Sequence, residues 1–142
     1  MANWERAIDD FERKVRTNIV KIHARTAFAM RDSVVDGSPT TGAPGQPIDT
    51  STLKNSWILS HPSPFFATLQ TDVQYAEAIE EGIVKPHQRG PYTRKDGTPV
   101  RRHSVRGYPM IFRSKTGGSH SVKLTRIGIQ KIADKATRDT VK

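Results

Sequence analysis

The residues of this chain best suited to proton transfer or metal binding are its five histidines, His23, His61, His87, His103 and His120. They are scattered, with no His-Glu-x-x-His spacing and no paired carboxylates to complete a metal cluster. His87 and His103 can converge at the base of a hairpin, but a surface histidine among arginines is ordinarily solvated. Ser56, Ser60 and Ser63 lack the strand-turn-helix context of a nucleophile elbow. The absence of cysteine removes a thiol nucleophile, a Cys-ligated zinc and a disulfide framework. Glu77 and Glu81 stand four residues apart, which suits one solvated helix face better than an acid-base pair. The Gly- and Pro-rich stretch DGSPTTGAPGQP, Asp36 to Pro47, lacks the Gly-Lys-Ser/Thr ending with which a loop cradles phosphate. The chain is therefore expected to be non-enzymatic, with no catalytic residue, no metal and no cofactor.

Binding chemistry is more visible. The net charge is +9, and it is unevenly spread. Residues 1–35 carry seven bases and five acids, and residues 36–84 one base and six acids. Residues 85–115 carry nine bases, Lys85, Arg89, Arg94, Lys95, Arg101, Arg102, Arg106, Arg113 and Lys115, against the single acid Asp96. Residues 116–142 add six bases and two acids. An acidic middle beside a basic insert and tail suits either nucleic acid or self-assembly between oppositely charged faces. The nine bases are candidate contacts to a partner or to DNA.

The elements that must present these charges read as two helices around a broken centre. Apolar residues at Trp4, Ile8, Phe11, Val15, Ile19, Ile22, Ala27 and Met30 fall mostly three or four apart, along one helix face. With Asn3 as N-cap and Gly37 past the end, the helix spans about 30 residues, roughly 45 Å. That is too long for one small core to cover. Trp4, Ile8, Phe11, Val15, Ile19 and Ile22 are thus candidates for a subunit interface. Residues 36–48 read as a flexible loop, followed by a short helix capped by Asp49 or Thr50. WILS and FFATLQTD have strand composition, with HPSP as the turn between them. VQYAEAIEEG returns to helical spacing and stops at Gly82. In YTRKDGTPVRRHSV the Asp-Gly pair signals a tight turn, making residues 85–115 a basic hairpin insert whose second arm is an edge strand or begins after Pro99. YPMIF can return the chain to a sheet. SKTGGSHS is a link to a C-terminal helix bearing Leu124, Ile129, Ile132 and Ala136, in which Gly128 is a weak point. The expected fold is α+β in a single domain, 1–142: an N-terminal and a C-terminal helix on a small, mainly antiparallel sheet, with the hairpin inserted.

Bulk properties agree. With 142 residues, 35% apolar and a mean hydropathy of −0.61, the chain can bury a modest core and leaves much surface to water or a partner. No apolar run approaches the roughly 18–20 residues of a membrane span. MANWERAIDD carries acids where a secretory signal carries bases, so a soluble, unprocessed protein is expected.

Two segments carry a family resemblance. PIDTSTLKNSW, Pro47 to Trp57, resembles the "VDTGxLrxSw" segment of the tail-component family in the head-to-tail gene block of long-tailed bacteriophages, the neck or tail-completion proteins. YAEAIEEG, Tyr75 to Gly82, resembles the same family's "YAxxvExG" segment. The order of elements is similar over most of the chain, though the specific part is about twenty residues. The matched positions Asp49, Thr50, Leu53, Trp57, Tyr75, Ala76, Glu80 and Gly82 have structural roles: caps at 49 and 50, burial of Leu53 and Trp57 with Lys54 left wet, anchoring by Tyr75 and Ile79, close approach at Ala76, and a positive-φ exit at Gly82. Ser51 stands where the family usually has Gly, which argues against a positive φ there. The basic insert after Gly82 also departs from the family's short tail.

The resemblance implies a structural virion protein of the phage head-tail junction that assembles as a ring, six copies by the symmetry of tails, and finishes the tail for DNA passage. Its implied partners are other copies of itself, adjoining head-closure and tail proteins, and DNA or the tape-measure protein in the lumen; no membrane is implied. The implied location is the virion, with assembly in the host cytoplasm. The basic finger can insert into an acidic neighbouring ring, reach the lumen, or protrude into solvent. The competing reading is a small basic nucleic-acid-binding protein, although no helix-turn-helix, zinc finger or RNA-binding aromatic motif is present.

Overall fold

The computed structural model describes residues 2–47, 51–109, 111–112, 115–116 and 119–141, and the chain is α+β. It forms two compact units, Met1–Val73 with His120–Lys142, and Gln74–Ser119.

The first unit is organised by α1 (Ala2–Val35), 34 residues and about 51 Å long at 1.5 Å per residue. Asn3, expected as its cap, lies inside the helix. Only the C-terminal half is covered: Ala27, Ser33, Val34 and Val35 are buried, whereas residues 3–17 are exposed on every face. The helix ends where the N–H groups of Asp36 and Gly37 both donate to the Asp32 carbonyl, at 2.8 and 3.1 Å. Gly37 then turns at φ 88, and a Cβ there would meet the Ala43 carbonyl oxygen at 2.8 Å.

The Gly/Pro-rich segment is packed against the helices instead of standing free. Ser38 N–H donates to the Ala43 carbonyl and Gln46 N–H to the Val35 carbonyl, while Ala43 and Gln46 are buried. Its glycines let backbone approach backbone, as a Cβ on Gly45 would lie 2.6 Å from the Asp36 carbonyl carbon. A short helix, α2 (Thr52–Asn55), follows and buries Leu53. The strands β1 (Ile58–Ser63) and β2 (Phe66–Gln70) pair antiparallel against α1. The expected turn at HPSP is shorter than the sequence suggests, because β1 runs through His61 and Pro62. The register shifts between Ser60 and Ser63, a place where a strand tolerates a residue without an N–H.

At the C-terminal end, α4 (Ser121–Ile127) and α5 (Ile129–Val141) are separate helices broken at Gly128. A Cβ on Gly128 would sit 2.7 Å from the Thr41 methyl, so the glycine allows the Asp36–Pro47 loop to close on the break. Both helices pack on α1. Ile132 and Ala136 are buried as expected, Leu124 is half-buried, and Ile129, expected on the same face, is exposed. The buried face of α4 consists of hydroxyls. Ser33 Oγ lies 2.7 Å from both Thr41 Oγ1 and Thr125 Oγ1, and Ser121 Oγ donates to the Gly45 carbonyl at 2.8 Å. Arg25 ties α1 to the end of α5 through the Asp139 carbonyl and Thr140 Oγ1.

The second unit begins with α3 (Ala76–Glu81), which stops at Gly82 with φ 70. The chain then runs through β3 (Ile83–Val84), β4 (His87–Arg89) and β5 (Tyr92–Thr93), turns, and returns through β6 (Pro99–Val100), β7 (His103–Val105) and β8 (Tyr108–Pro109). These are three stretches of one hairpin. Ile83 pairs with Pro109, His87 with Val105, Arg89 with His103 and Thr93 with Pro99, each pair equidistant in sequence from Asp96. The YPMIF stretch therefore does not return to the β1–β2 pair: Tyr108 and Pro109 close the root of the hairpin. Beyond them β9 (Ile111–Phe112) pairs with β10 (Lys115–Thr116). Among the described residues the strands form only two-stranded pairs, all antiparallel, where one small sheet was expected. Ser119 returns to α3, its N–H donating to the Ile79 carbonyl and its hydroxyl to Glu80, both at 2.8 Å.

Candidate interaction surfaces

The first surface is the free half of α1. A helix with one apolar stripe normally buries it, yet Trp4 is 71% and Phe11 70% exposed, with Ile8, Val15 and Ile19 also exposed. Ile22, half-buried, marks where the rest of the unit begins to cover the helix. The polar faces carry exposed ion pairs, Arg13–Asp10 at 2.7 Å and Arg16–Glu12 at 3.1 Å, which support an isolated helix by a few tenths of a kcal/mol each.

The second surface is the hairpin finger. Its tip is a three-residue loop, Lys95-Asp96-Gly97, in which Arg94 N–H donates to the Thr98 carbonyl and Gly97 N–H to the Arg94 carbonyl, both at 2.9 Å. Gly97 adopts φ 84, the left-handed position that such a loop requires. Because Arg94 and Thr98 are hydrogen-bonded neighbours, the antiparallel alternation makes Thr93–Pro99 a non-hydrogen-bonded pair. Pro99 therefore begins the second arm without loss, as its missing N–H has no acceptor to serve. Asp96 caps the loop by accepting from Thr98 N–H at 3.0 Å, and that bond holds its carboxyl below the usual carboxylate range.

Between Ile83 and Pro109 no described side chain is buried. A lone two-stranded ribbon is marginal in water, and this one carries Lys85, Arg89, Arg94, Lys95, Arg101, Arg102 and Arg106. Lys85 forms an ion pair with Glu77; the hydrogen bond and then the charge of that carboxylate raise it above the ordinary lysine value. Arg89 lies over the Tyr92 ring, 4.3 Å from its centroid, and the His103 ring is 6.2 Å from the same ring. Tyr92 is thus occupied on its own hairpin, while Tyr108 is exposed. Arg94, Lys95, Arg101, Arg102 and Arg106 form no ion pair among the described residues. Arg113 lies outside the described residues, and Lys115 is in β10. His87 and His103 stand on opposite arms of the hairpin in different cross-strand pairs, His87 with Val105 and His103 with Arg89, and each ring is turned to a backbone carbonyl, of Lys85 and Arg101.

Of the matched family positions, Asp49 and Thr50 lie outside the described residues. Leu53 and Ala76 are buried as expected, and Glu80 receives Ser119. Trp57 is half-buried, and its indole N–H is buried without an acceptor among the described residues. Three expectations need correction. Tyr75 is exposed, so it does not anchor α3. Lys54 is not simply wet, since it pairs with Asp36 at 2.7 Å and is largely covered. Ser51, where a positive φ was judged doubtful, stands at φ 60.

The proposed charge complementarity between the acidic and basic segments is reduced by pairing inside the chain, because Asp36 and Glu77 are already engaged. Spacing also missed a second apolar surface: Ile58, Phe65 and Phe66 on the β1–β2 pair and Phe28 on α1 are exposed, with Phe28 beside the His61 ring at 5.5 Å. The Phe-Phe doublet after Pro64 was its available signal. A cleft of about 420 Å³ is lined by Arg25, Asp32, Ser33, Lys135 and Asp139 among others, and Arg25 there is committed to α5. Among the described residues no three His, Asp or Glu side chains gather as a metal site, and no helix is long and apolar enough to cross a membrane. No family model, curated protein or solved structure matches the chain.

Proposed function

We propose that this chain is a non-enzymatic structural protein that assembles as a ring at the junction of a phage head and tail, a neck or tail-completion protein. The observation that carries the reading is the uncovered stripe of α1. Five large apolar residues on one helix face are solvent-exposed, four of them within residues 3–17, where every residue is exposed. Such a patch marks an association surface, and a ring supplies one by placing each subunit against a different face of the next. The apolar stripe provides most of the affinity. Exposed ion pairs contribute only about 0–1 kcal/mol each and serve register.

The identity of the ring rests on the resemblance of Pro47–Trp57 and Tyr75–Gly82, and one backbone detail supports it. The position at which the family carries glycine is the one where this chain holds a serine in the left-handed region. The finger, with five cations in no ion pair among the described residues and no described side chain buried between Ile83 and Pro109, suits an element that orders against an acidic neighbour in the assembled particle.

The same five cations favour the rival reading, nucleic-acid binding through phosphate neutralisation. Light scattering on the purified chain, with DNA titration at two salt concentrations, separates the two. Discrete multimers with negligible DNA affinity at moderate salt are expected. A monomer that binds DNA tightly and loses affinity steeply with salt refutes the ring.

A further inference from the structure

Two elements of this chain each lack the kind of cover that the other provides. A two-stranded ribbon gains independent stability from a third strand or from packing on a helix, and from His87 to Val105 the finger pairs only with itself. A helix with an apolar stripe gains stability by laying it on another layer, and residues 3–17 of α1 are exposed on every face. The lengths correspond. The free run of α1 from residue 3 to 17 spans about 21 Å at 1.5 Å per residue. The finger from His87 to Thr93 spans about 20 Å at 3.4 Å per residue.

The charges are opposite in sign. On α1, Glu5, Asp9 and Glu12 each follow a residue of the apolar stripe, Trp4, Ile8 and Phe11, and so form an acidic edge along one side of it. The one cation on that edge, Arg16, is held by Glu12 at 3.1 Å, whereas Glu5 and Asp9 enter no ion pair among the described residues. Lys14 lies on the opposite edge. The finger carries the complement. Tyr92 and Val100 form a cross-strand pair, and the Tyr92 ring lies 6.2 Å from the His103 ring, so the two stretches turn one side the same way. Tyr92, Val100, His103 and Val105 on that side are half-buried, whereas the pairs Gln88–Ser104 and Thr93–Pro99 are exposed. Arg101 and Arg102 stand midway along the second arm, between β6 and β7, in no ion pair among the described residues.

We infer that the finger of one copy lies on the free half of α1 of the next, its Tyr92, Val100 and Val105 side over the Trp4, Ile8 and Phe11 stripe, with Arg101 and Arg102 at the Glu5 and Asp9 edge. Every copy then offers one finger and one helix, and each contact leaves one of each free for a further copy. That is a head-to-tail contact between different faces, the kind from which a ring closes. The inference deepens the ring reading and rests on it only for closure.

The natural chain has no cysteine, so introduced cysteines report the contact in the full-length protein. Under mild oxidation an equal mixture of Ile8→Cys and Val100→Cys chains is expected to form the mixed disulfide at least tenfold faster than either self-product. Self-products that form as fast or faster overturn the inference. With both cysteines on one chain, covalently linked multimers are expected; an intrachain disulfide as the main product overturns it too, because the finger would then cover its own helix. A charge swap at exposed residues checks the pairing independently. Glu5→Arg with Asp9→Arg, or Arg101→Glu with Arg102→Glu, should each lower the association constant at least tenfold in sedimentation equilibrium, and the quadruple variant should return to within threefold of the parent. If the quadruple variant stays as weak as either half while light scattering reads the parent as discrete multimers, the finger-helix contact is wrong and the ring stands. A parent that is monomeric at every concentration removes both.

Discussion

Replacing Phe11 by alanine separates the two jobs a helix residue can have, holding its own fold or holding a neighbour. A phenylalanine buries about 150–250 Å² when fully covered, and Phe11 is 70% exposed, which leaves roughly 140 Å² for a partner to cover. At about 25 cal/mol per Å² that is at most ~3.5 kcal/mol, and an alanine retains about a third of it. The loss per contact is therefore roughly 2 kcal/mol, close to thirtyfold in affinity at 1.4 kcal/mol per decade. The isolated fold should not suffer, because alanine has the higher helix propensity by a few tenths of a kcal/mol. The assay is sedimentation equilibrium across a dilution series, paired with thermal unfolding at a concentration where the chain is dissociated. The reasoning fails if the association constant stays within threefold of the parent. It fails equally if the dissociated variant melts several degrees lower, since Phe11 would then be packing inside its own chain.

Two further outcomes follow from polar contacts. Ser33→Ala strips the partner from Thr125, which is almost fully buried, and should cost about 1–3 kcal/mol in urea unfolding; adding Thr125→Val should recover most of that loss, and strictly additive losses would show that the hydroxyls are not coupled. Asp96 is held ionised by the Thr98 amide, so its support for the finger's turn is full above the ordinary carboxylate pKa of about 3.9 and fades as pH falls through the lower folded value. The Thr98 amide resonance should accordingly titrate with a midpoint below about 3.9, and a midpoint at or above that value contradicts the bond.

The parts of this molecule written in one-dimensional patterns were legible in the sequence. The spacing from Trp4 to Met30 announces α1, and Asp96-Gly97 announces the finger's turn, because period and turn chemistry are local. Gly82 was equally readable as the exit from α3. The packing of the Asp36–Pro47 loop was not. Its Gly and Pro content looks like a free linker, and only the folded chain reveals that Gly37 and Gly45 are there to admit backbone at close range. The α4 interface was hidden for a related reason: apolar spacing carries no signal for Ser121 and Thr125, and a buried face of hydroxyls is recognisable only when Ser33, Thr41 and the Gly45 carbonyl arrive to satisfy it. Ser51 shows the limit from the other side, since its side chain argues against a backbone angle that its surroundings impose. Among the candidate surfaces, the exposure of the α1 stripe followed from length alone, whereas the internal engagement of Asp36 and Glu77 depended on which lysine each would meet.

The symmetry of the finger about Asp96 makes its length an adjustable quantity. Because matched positions on the two arms are paired without any buried side chain among the described residues, residues can be gained or lost two per arm, which keeps Pro99 and Pro109 in non-hydrogen-bonded pairs, without disturbing α3 or the Ser119 tie at the root. Each such step changes the reach by about 7 Å. An element of this kind behaves as a spacer whose span can be tuned to the gap it must cross, independently of the fold that carries it.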